Sequence, residues 1–401
     1  MRFPARFATA LLTPTVLVAA VLAASATPAS AASDRAALTR WTTTSALAQG
    51  ATHNARVANG KVYMNGGTSS SWTSPWADLG FDAKSLVPSW NVSSPAGSFV
   101  RVWVRVRSGS TTGSWDRVAT WAIRTDVVDR ASGPAQTDDL ARLVTDTVTA
   151  NSGRSFDAWQ IKVQINRRST SGSAPRIDAV NGIAASYTSR STGTSATTMS
   201  KTTTLSVPRS SQMDHTGHFP QWGGGGEAWC SPTSTMMMLR YFDSGPPAST
   251  YRWTHDSLRG YVDHAARYTY DHAYDGTGNW SFNTAYATHF GVDAFVTRLY
   301  DLREAEAFIK AGIPLVVGVA FGRGELDGAP ISSTPGHLLV IRGFTASGSV
   351  IANDPAGTGY RQVERTYSRS QFEKAWLRGS GGIAYVIRPS SRSLPADTAR
   401  W

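Results

Sequence analysis

Gly223-Gly224-Gly225-Gly226-Glu227-Ala228-Trp229-Cys230-Ser231-Pro232-Thr233-Ser234 is the stretch on which the reading of this chain turns. It carries the single cysteine of a 401-residue sequence, so no disulfide within the chain is possible. Four glycines lead into a segment, Cys230 to Phe242, expected to be helical, with Pro232 tolerated in the first turn. A thiol at such a junction meets free backbone N–H groups and the positive end of the helix dipole, and both favour the thiolate. Glycine backbone also leaves room for a substrate to approach closely.

A thiolate nucleophile needs a base and a group to orient that base. Gly336-His337 opens one strand-like run, His337 to Phe344, and Asn353-Asp354-Pro355 closes the next, Val350 to Asn353. The turn Thr345-Ala346-Ser347-Gly348 joins them, so they should pair as a hairpin. Pairing outward from Phe344 and Val350 brings His337 and Asp354 close, within a residue or two of register, as a histidine and its orienting carboxylate require.

The block Val207-Pro208, Ser211-Gln212 and Cys230-Ser231-Pro232-Thr233-Ser234, then Gly336-His337-Leu338-Leu339-Val340 and Asn353-Asp354-Pro355, resembles the C39-like peptidase family of the papain-like clan. The resemblance spans roughly residues 205 to 390. It implies Cys230 as nucleophile, His337 as general base, Asp354 as the residue orienting His337, and Gln212 as an oxyanion-hole donor. Two departures stand out. Ser231 occupies a position where the family often has glycine, and the segment between Gln212 and Cys230 is unusually long, so Gln221 is an alternative donor.

Around this block, His255 to Tyr268, Asn283 to Phe290 and Ser370 to Trp376 are expected as helices. A further helix starts at the capping box Asp301-Leu302-Arg303-Glu304 and ends near Gly312. Pro314 to Phe321, Gly359 to Thr366 and Ile383 to Arg388 complete a set of strands. Helices followed by an antiparallel meander give an α+β domain, papain-like by the resemblance, over residues 205–401.

Residues 33–188 read differently. Val100 to Val106 and Trp159 to Ile165 alternate apolar and polar residues, the period of half-buried strands. Val118 to Ile123 and Gly182 to Tyr187 are further strands, and Asp138 to Val148 is expected as a short helical connection. The expectation is an all-β sandwich or jelly roll, with Trp72 and Trp76, in a Ser-rich stretch, as surface candidates for a cell-wall or polysaccharide ligand. Residues 189–204, rich in Ser, Thr, Gly and Ala, are expected to be a flexible linker cut first by proteases.

Arg2, Arg6, the apolar run from Ala8 to Leu22 and Ala29-Ser30-Ala31 make residues 1–32 a signal peptide, so a secreted, extracellular protein without membrane anchor is expected. The formal charge of +11 is scattered without a basic run, which argues against nucleic acid as partner. The remaining histidines lie in two groups: Asp214, His215 and His218; and His255, Asp263, His264, Asp271 and His272. Neither has the spacing of a motif such as H-E-x-x-H, so no metal and no cofactor are expected. The functional expectation is a monomeric, secreted cysteine peptidase acting on a peptide or protein. The alternatives are an acyltransferase of transglutaminase type using the same triad, or a non-catalytic wall- or glycan-binding protein.

Overall fold

The computed structural model describes residues 34–137, 139–254 and 259–396; the expected signal peptide therefore lies outside the described residues, as do Asp138 and His255. In the N-terminal half the alternation works as expected. Val100, Val102, Val104 and Val106 of the strand Ser98–Ser108 point inward, and pair with Phe156–Arg167 in a register that sets Val104 opposite Ile161 and Val102 opposite Val163. These two strands centre an eight-stranded antiparallel sheet. Ser85–Ser93 and Arg176–Ala185 centre a seven-stranded one, to which Ala36–Trp41 is added antiparallel. The two sheets face each other across a tryptophan cluster: Trp41 of the seven-stranded sheet meets Trp72 and Trp159 of the eight-stranded sheet edge-on, with centroids 5.7 and 5.4 Å apart.

Two expectations for this half fail. Residues 141–150 form a hairpin of strands Ala141–Val144 and Thr147–Ala150, not a helix. Its two-residue turn holds Thr145 at φ 55°, a left-handed conformation unusual for a β-branched residue. Trp72 is not a surface ring. It is fully buried in the strand Ser69–Thr73, and its indole N–H donates to the Leu47 carbonyl at 2.8 Å.

The C-terminal half is built on a seven-stranded antiparallel sheet in the order Asp293–Arg298, Ile383–Arg388, Leu315–Phe321, Thr334–Phe344, Val350–Asn353, Glu364–Tyr367, with Thr203–Thr204 added to Thr334–Phe344. Its strands bury both faces. Ile383, Tyr385 and Ile387 pack with the helices Cys230–Tyr241, Tyr261–Thr269 and Trp280–Thr288, while Ala384 and Val386 pack with Leu302–Lys310 and Arg369–Ser380. The last two helices start within a residue of where the sequence places them, and Asp301 accepts from the Arg303 N–H as N-cap.

Residues 189–204 are not a free linker. Arg190 is buried and donates to the Tyr300 carbonyl. The Thr198 N–H donates to Glu306 at 2.7 Å, and the Ser195 N–H to Glu373 at 2.7 Å. Nor do the two halves have separate cores. Phe282 packs against Trp90 and Trp121, and the Ser281 hydroxyl donates to the Pro88 carbonyl at 2.6 Å. From Asp34 onward the chain forms one compact unit. Among the described residues no helix is long and apolar enough to cross a membrane.

Candidate active site

Cys230 is the first residue of the helix Cys230–Tyr241, whose N-cap, Trp229, provides no side-chain cap. The helix N–H groups therefore stay unclaimed by a capping side chain, beside a half-buried sulfur. Small polar side chains along this otherwise buried helix tie it to its neighbours. Ser234 donates to the Leu338 carbonyl at 3.2 Å, and the Ser231 and Tyr385 hydroxyls lie 3.0 Å apart. Ser231 thus has a structural use that glycine could not supply.

The hairpin pairs Phe344 with Val350, as its turn requires. A bulge between Ile341 and Gly343 then shifts the register by one, so that Asn353 faces Val340. The shift carries Asp354 toward the position of His337. The His337 Nε2 and Asp354 Oδ1 atoms are 2.7 Å apart, with both side chains buried. Asp354 accepts two more hydrogen bonds, from the Tyr367 hydroxyl at 2.7 Å and the Ala356 N–H at 3.0 Å. With Nε2 committed to Asp354, Nδ1 is the ring nitrogen left for Cys230, and His337 acts on that thiol to lower its pKa.

The electrostatics follow. Burial opposes the Cys230 thiolate, but the His337 hydrogen bond and charge, with the Leu338 N–H, outweigh it and lower the thiol's pKa. Burial likewise opposes charge on His337, yet Asp354 and Cys230 raise it to about 10. The Asp354 carboxyl is held below its usual range, since the His337 charge and its three hydrogen bonds overcome burial. A thiolate beside an imidazolium is the state these shifts favour near neutral pH.

The Val207-Pro208 segment is anchored by Asn353, which donates to both carbonyls at 3.2 and 3.3 Å. It leads into the turn Gln212–His215, where the Gln212 N–H donates to the Pro355 carbonyl at 2.9 Å and its side-chain amide donates to the Glu227 carbonyl. Gln212 is therefore buried between the Asp354 loop and the approach to Cys230, whereas Gln221 is exposed. The glycine run does more than clear space. A Cβ on Gly226 would lie 2.0 Å from the His215 carbonyl oxygen, and one on Gly223 2.8 Å from Gly276 Cα.

His337 and Asp354 are thus brought together with Cys230, Gln212 is tied to the Asp354 loop and to Glu227, and Gln221 is exposed. Sequence reasoning missed Tyr367, Tyr385 and the Leu338 N–H. No local pattern marks them, because each acts across a strand pairing or a helix–sheet contact.

Two family models match the chain. Residues 37–186 match the peptidase C39 N-terminal domain family, and residues 204–383 match the peptidase C39-like family. No curated protein matches the chain. A solved structure assigned as a C39-like peptidase, from Bacillus anthracis, is 16% identical, covers 47% of this chain and 99% of its own, and has a TM-score of 0.29. A structure of infectious bursal disease virus, Gx strain, is 14% identical over 38% of this chain and 31% of its own, with a TM-score of 0.21. At such scores neither likeness carries an argument.

Proposed function

Because the chain belongs to the C39-like peptidase family, we propose that it is a secreted cysteine peptidase in which a papain-like domain works beside a β-sandwich. In this reading the Cys230 thiolate attacks the scissile carbonyl carbon, forming the C–S bond as the carbonyl electrons move onto oxygen. Gln212 and the helix N–H groups receive that oxyanion. The charged His337 gives its proton to the departing amine, which leaves a thioester on Cys230. Neutral His337 then deprotonates a water that hydrolyses the thioester, while Asp354 holds the ring and stabilises its charged form. The observation that carries the reading is a buried imidazole held by Asp354 at 2.7 Å, whose charge and that of the Cys230 thiolate favour each other.

The test is turnover of a mixed peptide library by secreted protein, with Cys230→Ser as control. Cleavage by wild type and none by the variant is the expected result. Equal cleavage, or no covalent labelling of Cys230 by a thiol-directed inhibitor, would overturn it. N-terminal sequencing of the same secreted material should begin within a few residues of Ala32.

For the N-terminal half we propose an anionic cell-wall polymer as ligand. Supporting it, the outer face of the eight-stranded sheet carries a ladder of half-buried rings and cations. Arg105 lies 5.0 Å from Trp76 and 4.6 Å from Trp115, and Lys162 lies 4.7 Å from Trp103. Rings offer flat faces to sugars, and the cations offer charge to acidic groups. Purified wall material should pull the protein down at low salt, and Arg105→Ala with Lys162→Ala should abolish this; retention unchanged by the double substitution would sink the idea.

A further inference from the structure

His215 closes the turn Gln212–His215, His218 follows after Gly217 reverses the chain at φ 75°, and Asp263 sits in the first turn of the helix Tyr261–Thr269. The fold brings these three together. The His218 Nδ1 is 2.8 Å from Asp263 Oδ1, and the His215 Nδ1 is 2.9 Å from Asp263 Oδ2. The side chains of His215 and Asp263 are fully buried, and that of His218 is about one-fifth exposed, at 19%.

The second contact is close but not aligned as a hydrogen bond. Both ring nitrogens of His215, and Oδ2 of Asp263, are buried without a hydrogen-bond partner. A neutral imidazole carries one N–H and one lone pair, and native interiors rarely leave both unmatched, so such a group calls for an ion or water that completes it. Water would serve one nitrogen, but it would leave unexplained why a carboxylate oxygen and two imidazole nitrogens converge. One ligand atom from each of the three residues lies within 4.8 Å of the others. Two imidazole nitrogens and one carboxylate oxygen suit zinc and its neighbours in the transition series, whereas calcium and magnesium prefer all-oxygen shells.

We propose that His215, His218 and Asp263 form a binding site for a zinc-type divalent ion, with its fourth position open to water on the exposed side of His218. The site is separate from Cys230 and does not depend on the peptidase reading. The bound ion ties the segment that carries Gln212 to the helix Tyr261–Thr269. Since Gly226 packs directly on the His215 carbonyl, the approach to Cys230 is held by the same clamp. The spacing His-x-x-His gave no sign of this, because the third donor lies 45 residues further on.

The test uses the full chain carrying Cys230→Ser, which removes the thiol as a competing ligand. After chelator treatment it is titrated with zinc, and in parallel with cobalt(II), and binding is read by calorimetry and by the visible cobalt spectrum. The expected result is one equivalent of saturable binding, cobalt bands without thiolate charge transfer, and a raised melting temperature. His218→Ala and the isosteric Asp263→Asn, both checked for folding by circular dichroism, should each weaken binding by more than about 100-fold, beyond what losing an outer-shell partner costs. His215→Ala should do the same if it folds. No saturable binding of either ion to folded protein, or binding unchanged in His218→Ala and Asp263→Asn, would overturn the proposal.

Discussion

At the residue scale the decisive feature is a pair of opposite shifts. The thiolate–imidazolium pair forms as pH rises through the lowered Cys230 value and breaks as His337 loses its proton near pH 10. Iodoacetamide labelling should therefore proceed well below about pH 8.5, where a free thiol begins to react. In His337→Ala the labelling should rise only near that value. Peptide turnover should fall again on the alkaline side near pH 10. The charged His337 also contributes stability, fully present below its ordinary value of 6.5 and lost as pH rises through about 10. Tyr367→Phe provides a separate check. It leaves a buried Asp354 oxygen without its 2.7 Å donor, which should cost about 1–3 kcal/mol in urea denaturation. The approach of His337 to Asp354 was legible in the sequence because the turn between their strands sets a hairpin register. Tyr367 was not, because its role exists only once its hydroxyl reaches across from a neighbouring strand.

At the element scale, period-2 strands and capped helices were readable wherever side-chain pattern and backbone geometry agreed. They disagree between 140 and 148. Leu140, Leu143, Val144 and Val148 fall at helical spacing, yet Thr145 takes a left-handed conformation and folds the segment into a hairpin. The Ser-rich run around Trp72 looked like a loop for a similar reason, since small residues on a strand leave little apolar pattern apart from the one buried ring. The segment 189–204 lacks large apolar residues, but buried carboxylates from two helices hold it. Glu306 accepts from Thr197, Thr198 and Arg369. Wild-type protein should therefore resist cleavage within 189–204. Glu306→Ala should make that stretch the first site cut, and should destabilise the fold by about 3–5 kcal/mol because it strands the buried Arg369. The glycine run offers a matched pair of substitutions. Gly226→Ala should destabilise by about 1–3 kcal/mol in thermal or urea unfolding. Gly336→Ala, in open space beside His337, should leave stability unchanged.

At the scale of the whole molecule the two halves behave as one body. Asp146 of the N-terminal half accepts from the Trp280 N–H at 2.6 Å, at the start of the helix Trp280–Thr288. Arg130 reaches across to the carbonyls of Arg267 and Tyr270. Composition pointed to two domains but not to a common core, since the contact is carried by scattered residues such as Trp90, Trp121 and Phe282. Residues 205–401 produced alone should expose that surface and aggregate, and co-production with residues 33–188 should restore soluble protein. Burial raises the Asp146 carboxyl to about 6, against the pull of its hydrogen bonds. A raised carboxyl favours the fold while protonated, so this residue withdraws stability as pH rises from 3.8 to about 6. Asp146→Asn, which keeps an acceptor for Trp280, should flatten that part of the stability–pH profile.

The contact between Ser231 and Tyr385 also has a consequence in time. The two hydroxyls are separated by 154 residues of chain, and His337, Asp354 and Tyr367 all lie in the interval. A ribosome that has just released Cys230 must still deliver this whole interval, which takes on the order of 10–30 s at ordinary rates of synthesis. Until then the thiol has neither its base nor the sheet that seats its helix, and it is an ordinary cysteine. On the proposed reading, the order in which the parts emerge holds back the thiol's reactivity until the sheet that seats its helix has formed.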